Sequence, residues 1–242
     1  MPNPNFYFSL IAFLISLGGG IYFLVWWVKG GRRHPLLFYW SYGLGALLLF
    51  KVPNILANGQ FQFVQEDFYI FFFATLLAYF LAYFALIRGF AFFMDIRHGK
   101  LLMSFCAVWL AFAAVYFAAG FLVPQIGPVR APEWFSHVIF YIPAELLLFY
   151  MFRRAVKQSG SSFAFSKSGI FSTGAAIILL FLTSMFYITA QTGHYPGAFW
   201  YLPVISSAKI SVFQIAIGIF LFFGLRSFAK VYIEVSGAGK EK

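Results

Sequence analysis

Cysteine is nearly absent from this chain: Cys106 is the single one in 242 residues, set inside an apolar run. A disulfide framework and a cysteine-built metal centre are both excluded. Charge is scarce as well, at 10% of residues, against 62% hydrophobic and 23% aromatic. A soluble domain of this length cannot hide so much apolar surface, whereas a bilayer accepts it directly. Nor does the sequence carry Gly-x-Ser-x-Gly, His-Glu-x-x-His or a phosphate-cradling glycine loop, so the common hydrolase, metalloprotease and nucleotide-binding signatures are missing. The chain reads as non-enzymatic.

What is present is a succession of apolar runs, at 6–28, 36–57, 67–94, 101–123, 134–152, 169–191 and 199–223. Each is long enough to cross hydrocarbon as a helix, and lipid-exposed backbone at that depth must satisfy its own polar groups. The expectation is an all-α, polytopic membrane protein, a bundle of seven transmembrane helices. The membrane domain is expected over 1–230, with a short cytoplasmic tail over 231–242. Residues 1–8 carry no basic segment, so the first run reads as an uncleaved span.

The net charge of +10 raises the question of nucleic acid, and its placement answers it. Thirteen of the 17 Lys and Arg residues fall in the odd-numbered breaks, the end of the last run and the tail. Arg130 alone lies in an even-numbered break, and Lys51, Arg88 and Lys209 fall within runs. This bias places the N-terminus outside and the C-terminus in the cytoplasm. Anionic lipid, not nucleic acid, is then the partner of the basic surface. A multi-pass location in a cell membrane, of prokaryotic cytoplasmic type, is expected. Trp26, Trp27, Trp40, Trp134 and Trp200 sit at run ends, as interfacial aromatics do. Gly18-Gly19-Gly20 in the first run reads as a site of close helix packing or a weak point in the helix, and Arg88 as a side chain snorkelling to the inner headgroups.

Ionisable groups at membrane depth are costly, about 2.5–3.5 kcal/mol each on insertion scales, and so point to function. Lys51, Glu145 and Lys209 qualify. At 1.5 Å rise per residue they lie roughly 9–15 Å below the outer ends of their helices. Each has polar neighbours at helical spacing: Lys51 with Asn54 and Asn58, Glu145 with His137 and Tyr141, and Lys209 with Ser206; Ser184, Tyr187 and Gln191 line one side of the sixth helix. Pro143 removes an amide donor beside Glu145 and predicts a local distortion there.

These ten residues, Lys51, Asn54, His137, Tyr141, Glu145, Ser184, Tyr187, Gln191, Ser206 and Lys209, form the expected ligand-binding or ion-pair site. A receptor- or sensor-like bundle follows, binding a small anionic, carbonyl-bearing or lipid-like ligand in its outer half and signalling to a cytoplasmic or membrane partner. The same residues also suit a transporter or channel path, or the fixed helix pairing of an assembly subunit. The aromatic repeat Ala78-Tyr79-Phe80 and Ala82-Tyr83-Phe84 suits the lining of a hydrophobic channel. His34, His98, His137 and His194 all fall near helix ends or in breaks, so no metal or haem site is expected.

The run Ser206-Ser207-Ala208-Lys209 on the last span is similar to the Ser-Ala-Lys segment of some microbial rhodopsins. That resemblance implies a retinal Schiff base on Lys209. It covers a few residues, and the chain departs from the family's pattern where Ile205 replaces an acidic residue and where the third span offers only terminal Asp67.

Overall fold

The computed structural model describes residues 4–30, 32–49, 52, 65–94, 104, 107–109, 111–112, 114–115, 137–159, 167–192 and 207–238. Among these there are six α-helices, one π-helical turn and no strand. Helix α1 spans Pro4–Lys29, α2 Pro35–Ala46 and α3 Gln65–Phe93. The π-turn His137–Tyr141 leads into α4, Ile142–Ser159, followed by α5, Lys167–Thr192, and α6, Ser207–Ala238. Among the described residues, three segments are long and apolar enough to cross a membrane: Phe6–Lys29, Lys167–Phe186 and Val212–Glu234. A shorter apolar helix covers Leu77–Phe93.

The boundaries follow local chemistry. At the end of α1, the Gly30 amide bonds the Trp26 carbonyl at 2.9 Å and the Arg32 amide that of Trp27 at 3.0 Å. Arg32 takes φ 61, the left-handed turn that closes a helix, and its guanidinium lies 5.5 Å from the centre of the Trp27 ring. Proline at position 35 then opens α2, where its missing amide costs nothing. The distortion expected near Pro143 takes the form of the π-turn, in which carbonyls pair five residues ahead instead of four.

Other boundaries differ from the hydropathy reading. α4 runs seven residues past Phe152 and carries Arg153, Arg154 and Lys157 on its last turns. α6 continues through the stretch read as a tail, as far as Ala238. Polar residues at a helix end are compatible with continued helix once it emerges from hydrocarbon, so hydropathy marks the apolar slab and not the helix. Most of the run 101–123, Cys106 included, lies outside the described residues.

Each described helix packs on the next in sequence, and α6 closes on α1, giving a ring with α2 also touching α6. α1 and α2 approach closely. A Cβ on Gly20 would meet the Gly45 Cα at 2.6 Å, and Ser16 Oγ donates to the Leu44 carbonyl. Only residues without side chains allow backbones so near, which is the packing expected of the glycine triplet. Across the ring, Phe90 of α3, Phe152 of α4 and Phe228 of α6 form a triangle of rings with centroids 5.7–6.3 Å apart. Trp40 of α2 adds its edge to Phe90 at 5.5 Å. Outward, Leu14, Ile21, Phe171, Ile178 and Phe223 are more than half exposed, an apolar exterior that suits lipid contact.

Candidate functional site

The site grows from two helical repeats. On α3, Tyr79 and Tyr83 are one turn apart and stack edge to face, centroids 5.1 Å apart. The π-turn and the first turn of α4 place Tyr141 and Glu145 on a second shared face. The Tyr141 ring lies 4.9 Å from that of Tyr79 and 6.4 Å from that of Tyr83. α5 adds Ser184 from the third side. All five side chains are buried, and Glu145 is only 1% exposed.

Their polar atoms form one directed chain. Tyr83 donates to Glu145 Oε1 at 2.8 Å, and Ser184 donates to the same oxygen at 2.7 Å. The Tyr79 and Tyr83 hydroxyls are 2.8 Å apart. Because the Tyr83 proton is committed to Glu145, Tyr79 is the donor in that pair. Glu145 Oε2 is equally buried and has no hydrogen-bond partner. A buried carboxyl is thus held by two hydroxyls on one oxygen while the other has no hydrogen-bond partner. Net of the bonds to water they replace, such hydrogen bonds contribute about 0.5–1.5 kcal/mol each, which offsets part of the cost of burying the carboxyl.

Two other hydroxyls of α5 are satisfied within the helix: Thr173 donates to the Gly169 carbonyl at 3.0 Å and Thr183 to that of Leu179 at 2.7 Å. Ser184 differs in reaching across to another helix. A cleft of about 200 Å³ lies beside the centre, between α4 and α5, and Glu145 forms part of its wall. A smaller void of about 10 Å³ adjoins Tyr83 on the side of Phe80 and Trp109.

Of the expected site residues, Tyr141, Glu145 and Ser184 come together. His137, Tyr187, Gln191 and Lys209 have described backbone, on the π-turn, α5 and α6, but their side chains lie outside the described residues, as do Lys51, Asn54 and Ser206 entirely. The expected site names no residue of the third run, whose Tyr79 and Tyr83 read only as the lining of a hydrophobic channel; in the structure they supply two hydroxyls. The repeat of Ala-Tyr-Phe at four-residue spacing was the available signal, and its hydroxyls mattered more than its rings. Among the described residues, no cluster of three His, Cys, Asp or Glu side chains is gathered to hold a metal. In comparisons with known proteins the chain matches no family model, no curated protein and no solved structure.

Proposed function

We propose that this chain is a seven-span protein of a cell membrane, N-terminus outside and C-terminus in the cytoplasm. Its bundle binds a small lipid-like ligand at the Glu145 centre and signals occupancy inward, as a receptor or sensor does. One observation carries the reading: a buried carboxyl, gripped by hydroxyls from two neighbouring helices, has one oxygen without a hydrogen-bond partner, and apolar atoms of the same residue border a cleft. Because three helices meet at that carboxyl, a ligand bonding its free oxygen changes how all three are held together.

Charge distribution supports the orientation. His34, Phe93 and Tyr232 cluster at one end of the ring, with ring centroids 5.7 Å apart for His34 and Tyr232 and 6.1 Å for Phe93 and Tyr232. The same end carries exposed Lys29 as the last residue of α1, Arg32 and Arg33 just after it, and Lys230 on α6. Exposed Arg153, Arg154, Lys157 and Lys167 lie where α4 ends and α5 begins. A basic cytoplasmic face meets anionic lipid and suits a cytoplasmic protein partner.

Carbodiimide labelling in lipid nanodiscs tests the centre. Dicyclohexylcarbodiimide, which partitions into hydrocarbon, is expected to modify Glu145, read as added mass on its peptide and lost in Glu145→Gln. A water-soluble carbodiimide is expected to leave it untouched. Failure of both reagents would mark a sealed structural carboxyl and sink the proposal. Equal modification by both would reveal an aqueous route and favour the transporter reading, for which the Tyr79–Tyr83–Glu145 hydroxyl chain supplies a polar path.

A further inference from the structure

We infer that the seam between α1 and α6 binds one anionic phospholipid, its phosphate on Arg226 and a chain laid along the two helices. The inference is independent of the Glu145 centre; only its placing in the cytoplasmic leaflet follows the proposed orientation.

Arg226 is the starting point. It stands inside the apolar segment Val212–Glu234, where a guanidinium without an anion is costly. Its guanidinium carbon lies 5.7 Å from the centre of the Tyr22 ring, and its Nε is buried without an acceptor. The side chain as a whole is half-buried, so the stem is packed and the terminal nitrogens are presented at the surface of the seam. Two carboxylate side chains are described, and neither pairs with it. Glu145 is held by Tyr83 and Ser184. Glu234 stands eight residues further on, about 12 Å along the axis of α6. The Tyr22 ring compensates part of the charge. An anion at the edge of the hydrocarbon would complete it, and lipid phosphates lie at that level.

The two helices run side by side in the same direction. A Cβ on Gly218 would lie 3.1 Å from Ile15 Cγ2, and Phe222 packs on Tyr22 with ring centroids 5.2 Å apart. Along the lipid side of this seam, α1 presents Gly18, Tyr22 and Lys29, and α6 presents Phe223, Arg226 and Lys230, each set spaced as one helical face. Both rows end in an exposed lysine, four to seven residues beyond the Tyr22–Arg226 contact. Three cations therefore stand at one end of one apolar seam. A zwitterionic head would bring an ammonium among them, whereas an anionic head brings only negative charge. Arginine suits its phosphate in particular, since two N–H groups meet two oxygens.

The chain has a place as well. A Cβ on Gly18 would meet nothing within 4 Å, which leaves open space one turn from Tyr22. From Ile11, 46% exposed, to Tyr22 the α1 row is about 17 Å long, close to the roughly 15 Å of one leaflet.

Native mass spectrometry of the purified full chain, given equal amounts of phosphatidylglycerol and phosphatidylcholine, tests the site. One phosphatidylglycerol per chain is expected to be retained, roughly tenfold or more over phosphatidylcholine. Arg226→Gln should lower that retention roughly fivefold. Lys29→Gln with Lys230→Gln, both at exposed positions, should do at least as much and keeps the test decisive if Arg226 is needed for folding. Gly18→Leu fills the chain's place with every cation kept, and should lower retention by a similar factor. Arg153→Gln with Arg154→Gln, on α4, should change it less than about twofold. Equal retention of the two lipids would overturn the site. So would an equal loss in the α4 variant, which marks a basic surface without a site, or unchanged retention in Gly18→Leu, which marks a head contact without a chain. Displacement by excess inorganic phosphate, or a dimer that retains no lipid, would replace the lipid by a free anion or a second copy and overturn it too. Each of these outcomes leaves the Glu145 reading intact, since carbodiimide labelling tests that centre separately.

Discussion

Tyr83 and Glu145 are 62 residues apart in sequence and 2.8 Å apart in space, joined by a hydrogen bond from phenol to carboxyl. That bond ties α3 to α4 through an oxygen that Ser184 of α5 also uses. Three helices therefore share one acceptor, and what happens at Glu145 is felt by all of them.

Tyr83→Phe removes one donor from Oε1 and leaves the Tyr79 hydroxyl without its acceptor. A loss of about 1–3 kcal/mol in unfolding stability is expected, with Ser184→Ala at the lower end. Because both act on one oxygen, the double variant should deviate from additivity by about 0.5 kcal/mol or more. Strict additivity in denaturation of the nanodisc-embedded protein would show that the two bonds do not share an acceptor.

At Glu145 itself, the comparison is between Gln and Leu. Glu145→Gln keeps an acceptor for Tyr83 and Ser184, whereas Glu145→Leu removes the oxygen that both buried hydroxyls use. Unmet buried donors cost about 1–3 kcal/mol each, so Leu should melt well below Gln. If Leu proves the more stable of the two, the carboxyl serves binding only and contributes nothing to helix association.

The glycine triplet of α1 offers a contrast within three residues. A Cβ on Gly18 meets nothing within 4 Å, while one on Gly20 runs into the α2 backbone. Gly18→Ala should be neutral or stabilising by about 0.5–1 kcal/mol through helix propensity. Gly20→Leu should separate α1 from α2 at a cost of about 1–3 kcal/mol or more. Equal melting temperatures for the two variants would contradict the close α1–α2 contact.

Sidedness is open to cysteine labelling in a Cys106→Ser background. Cysteines replacing Arg33, Lys157 and Lys230, all exposed, should share one reactivity: blocked to an impermeant maleimide in intact cells and open to it in inverted membranes. Any one of the three reacting from the opposite side would break the proposed orientation.

Much of this was legible in the residues. Glu145 stood out because a carboxyl within an apolar run is expensive, and Tyr141 and Ser184 because polar groups at helical spacing share a face. Ser16, Thr173 and Thr183 show the limit of such counting, since each finds its acceptor on a backbone carbonyl and a composition count cannot tell them from Ser184. Tyr79 and Tyr83 were visible as a four-residue repeat, yet periodicity gives a face without saying which neighbour it looks at. The helix ends beyond Phe152 and Lys230 were missed because hydropathy senses the solvent and not the backbone.

By itself the sequence determined the helical, membrane-suited character of the chain, since so little charge among so much apolar surface leaves the backbone few other ways to satisfy its hydrogen bonds in hydrocarbon. Tertiary structure decided which hydroxyls reach Glu145, and that one of its oxygens is left without a hydrogen-bond partner. Helix period orders residues around one axis, whereas a hydrogen bond between helices depends on the rotation and spacing of both, which only packing supplies.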